Sequence, residues 1–235
     1  MTIPPHFSLS RRLALLTASS FLVSACSETI DSASESFGLI VGGQEGAPIS
    51  RDKINSIPYA SIAAKIGKGP RSLIILGKVY GDNLHWITAD RKALVTRNGR
   101  LVQTAGLQAN LRRSQLLDDD PLSGPLSGPL SAPGADAETA AALRFRRLLD
   151  FDQPQRYGIM IASRFQDLGP ESLVIAELEW DTRHVRETCT AREIDWSFQN
   201  DYWIDPQYGL VWKSVQHFHP EMPPVVMELL KPPAR

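Results

Sequence analysis

Leu94-Val95-Thr96-Arg97-Asn98-Gly99-Arg100-Leu101-Val102 is the stretch on which the fold turns. Two short apolar and β-branched runs flank Asn-Gly, a pair that tolerates the positive φ angles of a type I′ turn, so the spacing predicts a tight antiparallel hairpin. The same pattern extends on both sides. Residues 59–66, 72–80, 83–89, 93–97 and 100–104 read as strands punctuated by Gly, Pro or Asp-Asn, which makes a meander. Further on, Tyr157, Ile159, Ile161 and Phe165 alternate on one face, and Val174, Ala176, Leu178 and Trp180 oppose Glu177 and Glu179. A turn near Asp181-Thr182 is expected to return the chain into 183–198, and strands over 210–217 and 225–230 complete the set.

Two segments interrupt the strands. Residues 118–135 carry Pro121, Pro125, Pro129 and Pro133 and repeat Ser-Gly-Pro-Leu at 123–126 and 127–130, so they read as a surface loop. Asp118-Asp119-Asp120 at its start lacks the Gly turn and distal Glu of an EF-hand and reads as a solvated acidic turn. Residues 136–150 read as an amphipathic helix. Acids lie in its first turn, Arg144, Arg146 and Arg147 lie toward its last, and Ala141, Phe145, Leu148 and Leu149 share one face. Ser50 can cap a further short helix through Asn55, stopped by Pro58. The expected class is mainly β: an antiparallel sheet, closed into a barrel or stacked as a sandwich, with one amphipathic helix.

The amino terminus carries an address. Arg11 and Arg12 precede an apolar stretch from Leu13 to Val23, too short for a transmembrane helix and suited to a signal-peptide core. Ser10-Arg11-Arg12-Leu13-Ala14-Leu15 also partly resembles a twin-arginine motif, so general secretion and the twin-arginine route both stand. Leu22-Val23-Ser24-Ala25-Cys26 resembles a bacterial lipobox. Residues 1–25 are then removed, Cys26 is acylated, and residues 26–49 form a lipidated tether to a domain over 50–235. A single acyl chain holds weakly, at about 0.8 kcal/mol per buried methylene, whereas several anchor stably. Ser27, where bacterial lipoproteins of this kind retained elsewhere carry Asp, implies the outer membrane, lipid-anchored and facing the periplasm.

Composition excludes several classes. Without residues 1–25 the chain has 23 basic and 26 acidic residues, a formal charge of −3, which lacks the basic excess of nucleic-acid binders. Of two cysteines, lipidation of Cys26 leaves Cys189 without an intrachain partner, and it reads as a small buried hydrophobe. Phosphate loops and nucleophile elbows are absent from the sequence. His217 and His219 would share a strand face, but no ligand cluster stands near them, so no metal or other cofactor is expected. Trp180, Trp196, Tyr202, Trp203, Tyr208 and Trp212 fit either a β core or a platform for sugar rings. Asp195, Asp201 and Asp205 could form a glycosidase pair, although Asp205-Pro206-Gln207-Tyr208-Gly209 has strong turn chemistry.

Four features in order carry a wider resemblance. They are the lipobox ending at Cys26; Pro58-Tyr59-Ala60-Ser61; Trp86-Ile87-Thr88-Ala89-Asp90 with Leu94–Leu101 and Thr104-Ala105-Gly106-Leu107; and Asn200-Asp201-Tyr202-Trp203-Ile204-Asp205-Pro206 with Gly209-Leu210-Val211-Trp212-Lys213-Ser214. On these the chain resembles the GfcB/YjbF lipoproteins of group 4 capsule and exopolysaccharide secretion, over essentially its whole mature length. The insert from about Pro121 to Ala135 departs from them. The resemblance implies a non-enzymatic, outer-membrane lipoprotein working with periplasmic and outer-membrane secretion proteins; the alternatives are a carbohydrate-active hydrolase or a periplasmic lipid- or sugar-binding protein. It brings no catalytic residue. Trp86, Tyr202, Trp203 and Asp205 are the candidate contacts for a partner or polysaccharide.

Overall fold

The computed structural model describes residues 49–123 and 144–234. The signal segment, Cys26, the tether and most of the proline-rich loop lie outside the described residues. Helix α1 (Arg51–Ser56) starts at Ser50, whose hydroxyl accepts the Lys53 N–H at 3.3 Å, and ends ahead of Pro58. Ile54 and then Ile57 enter the core.

Twelve strands follow: β1 (Ser61–Ile66), β2 (Ser72–Tyr80), β3 (Asn83–Ile87), β4 (Ala93–Arg97), β5 (Arg100–Ala105), β6 (Leu111–Leu116), β7 (Arg144–Asp152), β8 (Gln155–Ile175), β9 (Leu178–Ala191), β10 (Trp196–Ile204), β11 (Val211–Gln216) and β12 (Val225–Lys231). They form one antiparallel sheet in the order β5-β4-β3-β2-β1-β12-β11-β10-β9-β8-β7-β6. The first and last strands pair, with Ser61 opposite Lys231 and Ile66 opposite Val225. The sheet therefore curls until β5 and β6 meet at a seam, giving a nearly closed barrel rather than a sandwich. Thr104 Oγ1 accepts the Leu111 N–H across that seam at 3.0 Å.

Because successive strands alternate in direction, the turns sort to two ends. The mouth carries the β2–β3, β4–β5, β8–β9 and β10–β11 turns, helix α1, the exit from β6 and the end of β12. Asn98 (φ 49°) and Gly99 (φ 80°) make the expected hairpin between β4 and β5. A Cβ on Gly99 would stand 2.4 Å from the Val211 side chain, so both backbone angle and space call for glycine.

Three expectations fail. The segment 144–150 is strand, not helix, and 136–143 lies outside the described residues. Phe145, Arg147, Leu149 and Phe151 alternate inward with period two, and pairing with β6 and β8 on either side overrides the helical face. The turn expected at Asp181-Thr182 lies instead at Ala176 (φ 48°) and Glu177 (φ 69°), which puts Ala176 in the turn and leaves Val174 exposed. Asp120 of the acidic turn is buried, and β6 passed unread because Arg112, Arg113 and Gln115 dilute its apolar residues.

Candidate functional site

Charged residues sit inside the barrel where alternation alone would place apolar ones. Arg100 enters from β5, Arg147 from β7, Glu187 from β9 and Tyr202 from β10, while Asp120 reaches in from the segment after β6. Arg100 grips Asp120 with two bonds, Nε to Oδ2 at 2.7 Å and Nη2 to Oδ1 at 2.9 Å. Its Nη1 donates to Glu187 Oε2 at 2.9 Å and to Tyr202 Oη at 3.2 Å. Arg147 pairs with Glu187 Oε1 and donates to Ser163 Oγ at 3.1 Å. Asn200 and the Tyr202 hydroxyl donate to Glu187 Oε2 at 3.0 and 3.1 Å.

Two arginines thus face two carboxylates in a buried interior, where an unmatched charge would be very costly. Burial opposes the charge on Glu187, but Arg100 and Arg147 outweigh it and hold the carboxyl well below the usual range. Burial, reinforced by Glu187, pushes the Cys189 thiol up to about 12, and burial raises the Tyr202 phenol well above its ordinary value. Held in these states, the three groups are poorly placed to exchange protons near neutrality.

Above this cluster the mouth opens into a cleft of ≈ 720 Å³, whose walls include Ile62, Leu84, Trp86, Trp212 and Met227. That size suits a small ligand or the end of a chain. The β8–β9 hairpin leans over it. The register shifts between Asp167 and Gly169, Gly169 takes φ 101°, and beyond that bend Leu173 and Ile175 are buried in the core. Trp180 of the same hairpin stacks on Trp212, ring centroids 3.6 Å apart.

The structure separates the four candidate contacts. Trp86 and Asp205 both line the cleft, although Trp86 is buried and donates its indole N–H to Thr96 Oγ1 at 2.8 Å. Asp205 Oδ1 accepts the N–H groups of Gln207 and Tyr208 at 2.9 and 2.8 Å, the turn role its sequence suggested. Tyr202 is fully buried in the charged cluster and offers no surface to a partner, because its inward position on β10 spends the ring on the interior. Trp203 faces the other side of β10, stacked on His184 at 4.5 Å with the Lys213 ammonium over it.

The three acids do not assemble. Asp195 and Asp205 bracket the nine residues of β10, which spans about 30 Å, far beyond glycosidase separations. Asp201 accepts from His184 Nε2 and Arg186 Nε, both at 2.8 Å. His217 and His219 fall beyond the end of β11, where His219 packs edge-on to Phe151 at 4.8 Å. Sequence reading missed the Arg100–Asp120–Glu187–Arg147 cluster altogether. Its signal was a single charge among apolar inward neighbours in three strands: Arg100 beside Val102, Arg147 between Phe145 and Leu149, and Glu187 between Val185 and Cys189.

The profile of the family described as "Group 4 capsule polysaccharide lipoprotein gfcB, YjbF" matches residues 34–230. The chain belongs to this family. Two Escherichia coli (strain K12) relatives align over nearly their whole lengths. The protein named "Uncharacterized lipoprotein GfcB" is 25% identical over 94% of this chain and 99% of its own, and "Uncharacterized lipoprotein YjbF" is 28% identical over 89% and 93%. The crystal structure of the hypothetical lipoprotein YmcC from Escherichia coli (K12) shares the fold, with a TM-score of 0.72 at 24% identity over 91% of this chain and 100% of that one. For this YjbF-family chain, lipoprotein relatives point to a membrane-anchored protein and to a role tied to capsule polysaccharide.

Proposed function

We propose that this YjbF-family barrel is an outer-membrane-anchored, periplasm-facing lipoprotein that acts as a non-catalytic component of exopolysaccharide or capsule secretion. Acylated Cys26 holds it to membrane lipid, and its partners are periplasmic and outer-membrane secretion proteins. The observation that carries this reading is the family match over 34–230. The interior supports it: Glu187, Arg100 and Arg147 are tied to one another, and Asp205 is committed to its turn.

The test compares polysaccharide released by a deletion strain with strains restored by the wild-type or Cys26→Ser protein. Rescue by the wild type alone supports anchored export. Unchanged release in the deletion strain defeats the secretion role, and a Cys26→Ser protein that still fractionates with the outer membrane defeats the anchor.

A second reading is that the mouth cleft itself takes a sugar or lipid, favoured by Trp86, Trp180 and Trp212 converging on one opening. Isothermal titration of capsule oligosaccharides checks it, with binding weakened in Trp180→Ala. The hydrolase alternative requires purified protein to cleave polysaccharide and to lose that activity in Asp205→Asn.

A further inference from the structure

The surface of the barrel is not uniform from end to end. Of the nine large apolar side chains exposed among the described residues, Tyr59, Val79, Tyr80, Leu117, Val174, Leu178 and Tyr208 belong to the turns and chain ends at the mouth, and Leu168 lies on the wall of β8 at its bend. Tyr157 is the counterpart at the opposite end. Val174 is 74% exposed although its neighbours Leu173 and Ile175 are packed, and Tyr80 is 70% exposed at the end of a hairpin that projects from the barrel. Single exposed apolar residues need no explanation, but a ring of them around one opening does.

The chain supplies a second observation. Helix α1 enters at the mouth, with Lys231 Nζ donating to Ile57 O at 2.7 Å and tying that entry to the end of β12. Cys26 therefore joins the barrel from this end, and the twenty-two residues between Cys26 and Ile49 span at most about 75 Å. An anchor so placed holds the mouth at high local concentration beside the lipid, so weak contacts there suffice.

The chemistry of the ring favours lipid over a protein partner. Tyr59, Tyr80 and Tyr208 combine an apolar ring with a hydroxyl, as side chains at headgroup depth do, and Lys78 lies over Tyr80 at 5.6 Å. Val174 projects from the outer face of a hairpin whose inner face, with Leu173, Ile175 and Trp180, turns toward the core and the cleft, and Leu178 stands at its tip; Glu177 and Asp82 at the turns can remain in the hydrated headgroup layer. The apolar groups are spread over separate turns around a hole rather than gathered in one flat patch. We infer that the mouth end docks on the lipid surface that holds Cys26, with Tyr80 and Val174 entering the headgroup layer and the cleft opening toward the membrane. This rests on the anchoring reading above.

Fluorescent labelling of single introduced cysteines tests it, since Cys189 is buried and Cys26 carries the lipid. Acylated mature protein bearing Val174→Cys, Tyr80→Cys or Tyr157→Cys is reconstituted into phosphatidylethanolamine and phosphatidylglycerol vesicles containing brominated lipid. The labels at 174 and 80 are expected to lose fluorescence, while the label at 157 keeps it. Vesicle-bound protein with all three labels equally bright, or with 157 alone quenched, overturns the orientation and leaves the anchor standing. Protein that fails to float with vesicles sinks both. A label at 174 shielded from aqueous iodide in the unacylated Cys26→Ser protein, with no lipid present, means that a second copy covers the ring and likewise overturns the proposal.

Discussion

Glu187 accepts from two arginines, an asparagine and a tyrosine, and among the described residues no other carboxylate gathers so many buried partners. Replacing it with Gln leaves Arg147 buried without its counter-charge, which is expected to cost about 3–5 kcal/mol. Urea unfolding at neutral pH reads that loss. Its depressed carboxyl also fixes a pH dependence. The stability it contributes is complete above the ordinary value of 4.5 and is lost progressively as pH falls below it, because the unfolded state then takes up the proton first. Urea midpoints of the wild type should therefore decline more steeply on the acid side than those of Glu187→Gln. Cys189 gives a second check: with its thiol pushed up to about 12 and no exposed surface, it should resist alkylation at pH 8 and react on unfolding.

Among the elements, the two type I′ hairpins differ in residue choice. Asn98-Gly99 suits its angles, and Gly99→Ala is expected to cost about 2 kcal/mol through the positive φ and the clash with Val211. Ala176-Glu177 holds the same conformation with residues that resist it, and this is why sequence reading put the turn elsewhere. Asn-Gly substituted there should raise the melting temperature, by an amount corresponding to about 1 kcal/mol. The misread helix has a similar cause. Local charge order over 136–150 imitates a helix, while Arg147 in an inward position hides the period-two pattern until its partner Glu187 is seen.

For the whole molecule, closure rests on one weak line between β5 and β6. Thr104→Val would leave the buried Leu111 N–H without its acceptor, at a cost of about 1–3 kcal/mol, and should speed amide exchange in β6 before the rest of the barrel opens. The sequence by itself determined the antiparallel class, the Asn98-Gly99 hairpin, the cap at Ser50 and the turn at Asp205, because each depends on residues within a few positions. Only the tertiary structure decided that β1 pairs with β12, that Arg100 and Glu187 meet across 87 positions of chain, and that Trp180 covers Trp212 at the mouth. Local sequence sets backbone angles and which face is apolar, whereas closure matches strands remote in the chain. A buried charge is stable only where that closure brings its opposite.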